Sequence, residues 1–309
     1  MAVAERRLRG SHREPWFAVV RWLLCGAVTV SATAASGSVQ SESGARADDP
    51  SHRWALFPAD DFYPQYLADP LRPQSALLLA SFPKSDIPES GNRRFLLRLG
   101  GRFPIVRRYP AGEPDRGWQL DFEGGFFGQF DIDRSLDNIG WDGLYGLRLA
   151  YKGDGPLAFS LASRHDSAHV GDEYAERTGR RRIGYTREEV VLGTTWAPSP
   201  RWRTYLEVGW AFAVEEFEEP LRIQFGVEHV GRSRLWNGRI PWYAALDATV
   251  YEENDGQARV SAQIGLVFPT GRGTSRYRFA LEMVTGRSIL GEFSMRDESY
   301  LGLGWYFDH

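Results

Sequence analysis

ARVSAQIGLVF, residues 258–268, takes apolar and polar residues in turn. Ala258, Val260, Ala262, Ile264, Leu266 and Phe268 fall on one side, and Arg259, Ser261, Gln263 and Gly265 on the other. A period of two is that of an extended strand with unlike surroundings on its two faces. Residues 202–212 repeat the pattern: Trp202, Leu206, Val208, Trp210 and Phe212 oppose Arg203, Tyr205 and Glu207. In 118–130, Trp118, Leu120, Phe122, Phe126 and Phe130 oppose Gln119, Asp121, Glu123 and Gln129. About twelve such segments follow residue 75, each near the length of a tilted membrane-spanning strand. They are expected at 75–82, 94–106, 117–131, 141–152, 157–169, 186–197, 202–213, 220–231, 241–252, 257–269, 275–286 and 298–308.

A soluble sandwich also alternates, so composition has to separate the two folds. The polar face carries Arg98, Arg148, Arg222 and Arg278 against Asp121, Glu123, Glu207, Glu228, Asp247 and Glu282. Charges of both signs suit an enclosed polar lumen. The apolar face carries Trp118, Tyr151, Trp196, Trp202, Trp242, Phe268, Tyr277, Trp305 and Phe307, all near one end of their strands. That is an aromatic girdle at a membrane interface. No later segment has the eighteen consecutive apolar residues of a helical span. The expected fold is all-β: a transmembrane antiparallel up-and-down barrel of about twelve strands. Opposed charges in so narrow a barrel can pair across it, so an occluded interior is expected rather than an open pore. Tyr300-Leu301-Gly302-Leu303-Gly304-Trp305-Tyr306-Phe307 resembles the C-terminal signal read by the outer-membrane assembly machinery, with Asp308-His309 after the aromatic.

The 309 residues carry a net charge of -3 and no basic face, which argues against nucleic acid as a partner. Arg6, Arg7, Arg9 and Arg13 precede an apolar run whose core, Trp22–Val30, is nine residues long. That core is too short to span a bilayer and ends in small residues up to Ser36. Residues 1–36 therefore read as a cleaved signal peptide, and the destination as the bacterial outer membrane. The one cysteine, Cys25, lies inside this segment, so thiol chemistry is excluded from the mature chain. Residues 37–53 read as a disordered linker. Residues 54–74, rich in aromatics and proline, read as a periplasmic lead-in packed against the base of a barrel over 75–309.

Chemistry concentrates where the fifth segment leaves the membrane, in Ser163-Arg164-His165-Asp166-Ser167-Ala168-His169-Val170-Gly171-Asp172-Glu173-Tyr174. Leu157, Phe159 and Leu161 face lipid, and without a bulge His165, Ser167 and His169 continue that face. A histidine two residues from a serine on one strand face can take its proton and make it a nucleophile. Glu188 on the next strand or Asp172 can orient the imidazole, and His169 is a second base. The outer-membrane phospholipase and the lipid A deacylase also place a His-x-Ser pair on a barrel exterior, and this segment is similar to theirs. In those enzymes Asn follows the serine. Ala168 stands here, which leaves the oxyanion donor unassigned. Polar residues also simply mark a strand's exit into headgroups. A third reading is a metal site, with His165, His169, Asp172 and Glu173 as ligands and Ca2+ as the ion that acidic oxygens suit. Arg180, Arg181 and Arg182, with Arg177 and Arg187, form a cationic loop fit for lipopolysaccharide phosphates. His229 reads as a rim residue.

From residue 54 on, the chain resembles a bacterial family known as domain of unknown function 1207. The resemblance rests on FPADDFYPQYLADPLRPQ (57–74), GWQLDFEGGFFGQFDID (117–133), HDSAHVGDEY (165–174), IGYTREEVVLG (183–193), YLEVGWAF (205–212), IQFGVEHV (223–230) and YLGLGWYF (300–307). The family pattern has a second Ser at 168 and Leu at 170, where this chain has Ala168 and Val170. Were that second Ser the family nucleophile, this chain would lack it. The resemblance implies an exported barrel and leaves the reaction to the residues. Two functions follow as expectations. One is a serine hydrolase acting on acyl chains of outer-leaflet lipid or lipopolysaccharide. The other is a non-enzymatic structural or lipopolysaccharide-binding barrel, or a narrow channel.

Overall fold

The computed structural model describes residues 51–215, 217–234, 240–269 and 275–308. The expected signal peptide and most of the linker lie outside the described residues. His52 and Arg53, expected in the linker, open the first strand, β1 (His52–Leu56). The other strands are β2 (Ser75–Ser85), β3 (Arg93–Pro110), β4 (Gly117–Asp131), β5 (Asp137–Lys152), β6 (Leu157–Val170) and β7 (Thr186–Ser199). They continue as β8 (Trp202–Val214), β9 (Leu221–Arg234), β10 (Ile240–Tyr251), β11 (Ala258–Pro269), β12 (Arg276–Arg287) and β13 (Asp297–Asp308). One helix, α1 (Asp172–Thr178), sits between β6 and β7.

Strands β2 to β13 pair each with the next, all antiparallel, and β2 pairs with β13. The result is a closed transmembrane barrel of twelve strands, with no free edge inside hydrocarbon. β1 lies outside the ring, added to the last five residues of β3. Short turns at 111–116 and 153–156 mark the periplasmic end, and the long connections 171–185 and 288–296 the extracellular end. Alternation sets the faces. Leu77, Phe122, Leu147, Leu161, Leu192, Ile264, Leu281 and Leu303 point outward, while Arg98, Glu123, Arg148, Glu207, Arg222, Asp247, Arg278 and Glu282 are buried inside.

The lumen is filled. The 57–74 segment does not stop at the barrel base, where its prolines and aromatics suggested, but enters the lumen. The Tyr66 ring stacks on Tyr205 at 3.5 Å, and Tyr66 Oη donates to Glu207 at 2.9 Å. Arg203 donates to the carbonyls of Pro64 and Gln65 at 2.7 and 2.6 Å. Leu67 N–H donates to Glu228 at 2.6 Å. Leu67 and Ala68 pack on Ala76, Leu78, Ala80 and Leu96. β2 is therefore apolar on both faces, lipid outside and lead-in inside. The extracellular end is covered by α1 and the 288–296 connection, where Tyr174, Leu290 and Phe293 pack on Ile87 and Ile139.

Inside this plugged lumen many of the charges are paired. Arg98 binds Glu282 through two hydrogen bonds of 2.5 and 3.0 Å. The same carboxylate accepts from Gln263 at 2.6 Å, Tyr300 at 2.7 Å and Tyr306 at 3.0 Å. Arg148 bridges Glu123 and Glu207, and Arg222 holds Glu189. Removing one partner strands a buried charge. Glu282→Ala therefore costs about 3–5 kcal/mol. Urea unfolding of the refolded barrel in liposomes measures it, and an unchanged midpoint overturns the claim. A lumen so filled is expected to pass no ions: the full chain in a planar bilayer gives no stepwise conductance, and sustained openings would show that the plug leaves.

Candidate functional site

The His-x-Ser pair lies in β6, whose pairing with β5 and β7 has no register shift from Leu157 to Ser167. Without a bulge, parity carries from Leu161 to the strand's end, so His165, Ser167 and His169 stand on the outer face while Arg164 and Asp166 turn inward and pair at 2.8 Å. His165 and Ser167 each head a rung across three strands, and His169 one across two. His165 is opposite Tyr145 of β5 and Glu188 of β7. Ser167 is opposite Gly143 and Thr186. His169 is opposite Trp141.

The first rung is tightly built. His165 Nδ1 lies 2.5 Å from Glu188 Oε1, and both side chains are half-buried. The imidazole stacks on Tyr145 with centroids 4.5 Å apart and planes at 29°. A carboxylate on Nδ1 fixes the tautomer that leaves Nε2 able to accept a proton. Ser167 lies one rung outward on the same face. No hydrogen bond joins its Oγ to His165 among the described residues; such bonds are often long before substrate arrives. On the third rung His169 stacks on Trp141 at 4.1 Å.

Depth follows from the register. Tyr151, in the periplasmic girdle, is eight residues along β5 from Gly143. At about 3.4 Å per residue and a tilt of about 40°, that rung stands roughly 21 Å above the girdle. The apolar band of such barrels is about 25 Å tall, so Ser167 sits just inside its outer edge, at the level of lipid esters.

The remaining sequence-derived candidates separate. Asp172 and Glu173 are exposed on the first turn of α1 and do not meet His165. Arg187 is not part of a cationic loop. Its parity turns it into the lumen, where it binds Glu189 at 2.6 Å. Arg177 is spent on Asp137 and Glu89. Arg180 donates to the Glu292 carbonyl oxygen and covers the Phe293 ring at 4.3 Å. Burial there lowers its guanidinium pKa, an effect Glu292 opposes. Arg181 and Arg182 remain exposed, Arg182 3.7 Å from the Glu292 carboxylate, which also accepts from the Ile183 and Gly184 N–H groups. His229 lies between Trp202 and Trp242 at the periplasmic end. Sequence reading missed Trp141, Gly143 and Tyr145, the β5 side of the three rungs. Their alternation with Asp142 and Leu144 was legible, but not the register that sets them opposite β6.

Among the described residues no three His, Cys, Asp or Glu side chains converge on one point. The carboxylate next to Ser167's rung, Glu188, is taken by His165.

The fold has solved counterparts. The outer membrane phospholipase of Salmonella typhi, a dimer with bound calcium, superposes with a TM-score of 0.53 at 11% identity, over 80% of this chain and 95% of that one. Outer membrane phospholipase A from Escherichia coli gives 0.52 at 10% identity, over 76% and 93%. At these identities the likeness is one of fold. No curated protein matches in sequence. The family model described as a protein of unknown function, DUF1207, matches residues 52–309. That span takes in β1, the lumenal plug and all twelve barrel strands, and the chain belongs to this family.

Proposed function

We propose that this outer-membrane barrel is a serine hydrolase that cleaves acyl esters of outer-leaflet lipid or lipopolysaccharide. Ser167 is the nucleophile, His165 the base and Glu188 the residue that orients it. The observation that carries the reading is the 2.5 Å His165–Glu188 contact on the lipid-facing surface, one rung from a serine at ester depth. A paired, stacked histidine at the edge of hydrocarbon is more than a strand's exit into headgroups requires. Export through a cleaved signal over residues 1–36 and insertion by the assembly machinery belong to the same reading.

Ser167 Oγ attacks the ester carbonyl carbon and its proton passes to His165 Nε2. Glu188 stabilises the imidazolium. The C–O bond breaks, and the leaving alkoxide takes the proton from Nε2. Water then repeats the sequence on the acyl-serine, giving a free fatty acid and restoring the serine. Thr186, across from Ser167, offers its hydroxyl to the developing oxyanion in place of the donor that Ala168 lacks.

A non-enzymatic barrel that holds lipopolysaccharide phosphate is the second reading. It is favoured by the exposure of Arg182, 51% for its side chain, at the rim above the site. The two readings separate in one assay. Refolded protein in mixed lipid micelles is expected to release fatty acid, and Ser167→Ala and His165→Ala each to lower the rate by about 10³-fold or more. Glu188→Ala is expected to lose roughly 10- to 100-fold. A fluorophosphonate probe is expected to label Ser167 and no other position. Absence of release from the wild type, or equal release from Ser167→Ala, overturns the hydrolase.

A further inference from the structure

β4 and β5 present three glycines to the membrane next to the site: Gly124, Gly128 and Gly143. Two are covered by neighbouring rings. A Cβ on Gly124 would meet the Phe122 ring at 3.3 Å. One on Gly128 would meet the rings of Phe130 and Phe126 at 3.0 and 3.1 Å. Gly143 is bare. The position of its missing Cβ has two heavy atoms within 4 Å, Ser167 Oγ at 3.7 Å and the Trp141 ring at 3.8 Å.

The flanking aromatics are held aside by the histidines of β6. Tyr145 lies over His165, and Trp141 between His169 and Phe126, with the latter centroids 5.5 Å apart. Phe126 of β4 stands opposite Gly143 and closes one side; between it and Ser167 the rung is a gap in the aromatic cover, and the serine oxygen borders it. Trp141 and Tyr145 lie two outward rungs apart, about 13.6 Å between their Cα atoms, less the rings that lean into the space. A polymethylene chain, with carbon contacts at about 4 Å, has room there, and a branch next to the carbonyl meets the Trp141 ring, 3.8 Å from the missing Cβ. The distances also suit attack. A nucleophile must lie about 3–3.5 Å from the carbon it attacks. Ser167 Oγ, 3.7 Å from the position of the missing Cβ, borders the space over Gly143 in which a carbonyl carbon would come within that range. Below the rung the outer face is Leu147, Leu149, Phe159 and Leu161, and above it are His169 and Arg182.

We propose that the bare rung at Gly143 is the acyl subsite. It seats the carbonyl of a straight-chain ester against Ser167, its hydrocarbon toward the membrane mid-plane and its polar, anionic head toward His169 and Arg182. This rests on the hydrolase reading and adds to it a substrate class, unbranched acyl esters, and the residue that sets it. The bond that forms is Ser167 Oγ to the carbonyl carbon over Gly143. The bond that breaks is the ester C–O on the side facing the rim.

Gly143→Leu fills the gap, and Gly143→Ala fills its floor with a methyl whose contacts are ordinary. Both are compared with wild type for hydrolysis of palmitoyl, acetyl and 2-ethyl-branched nitrophenyl esters, with heat-modifiable gel mobility reporting the folded barrel. Gly143→Leu is expected to lose roughly 100-fold in kcat/KM on the palmitoyl ester. The loss on the acetyl ester is expected to be smaller, and wild type to prefer the straight ester to the branched one. Should Gly143→Leu not fold, Gly143→Ala is expected to lose about 10-fold on the palmitoyl ester, as a misplacement smaller than 1 Å would cause. Wild-type rates in the folded variants, or equal use of branched and straight esters, overturn the subsite and leave the hydrolase standing. A wild type that hydrolyses none of the three overturns both.

Discussion

Hydrocarbon offers backbone N–H and C=O groups no partner, and this constraint governs the molecule. Each unpaired group would cost several kcal/mol. Twelve strands answer it by pairing in sequence and closing β2 on β13, so that every edge inside the membrane is used. Closure then fixes the rest. It makes one face of each strand a lipid surface and the other a lumen, and it explains why a period of two runs through the chain with so few breaks. The breaks among the described residues, at Pro104–Val106, Gln129–Phe130, Glu188–Glu189, Trp196–Ser199, Pro241–Tyr243 and Ser299–Leu301, mark local bulges or irregularities.

Closure also creates an interior that has to be filled. Arginines and carboxylates line most of it, and their desolvation is offset by partners within hydrogen-bonding distance, many of them two-pronged. The 57–74 segment adds further partners to arginines already paired with Glu123 and Glu228. Backbone carbonyls of Tyr63, Pro64 and Gln65 take N–H groups from Arg102 and Arg203, and Tyr66 takes the place of solvent against Tyr205 and Glu207. The lead-in is thus part of the core. It also accounts for the apolar inner face of β2, which a water-filled lumen would not tolerate. With α1 and the 288–296 connection across the other mouth, the lumen is covered at both ends, and the proposed site lies on the outside of the wall.

On that outside, a rigid sheet places polar groups with little freedom. His165, Ser167 and His169 are neighbours because parity leaves them no alternative, and Glu188 reaches His165 because β7 pairs with β6 in unbroken register. Tyr145 and Trp141 serve two ends at once: each supports a histidine by stacking, and in doing so each leaves the rung between them uncovered. The site owes its shape as much to a missing side chain at Gly143 as to those present. Such a site needs no loop to close over it, since lipid already excludes water from one side.

Much of this was written in the chain order. Alternation gave the strand count and nearly every boundary, because lipid and lumen impose opposite demands on successive residues. The same parity put the arginines and carboxylates inside and the His-x-Ser pair outside, and Glu188 was within reach of the eye because it repeats that parity one strand on. Two things were not there to read. Charge counting suggested a cationic loop at 177–187, but Arg187 turns inward and Arg177 and Arg180 are tied to the cap, since a side chain's partner depends on which strand end it faces. Nor did the sequence show that 57–74 fills the lumen, or that Gly143 faces Ser167. Periodicity along one strand fixes the face of each residue. Only the register between strands and the closure of the ring decide which residues meet across it, because those contacts join residues far apart in the chain.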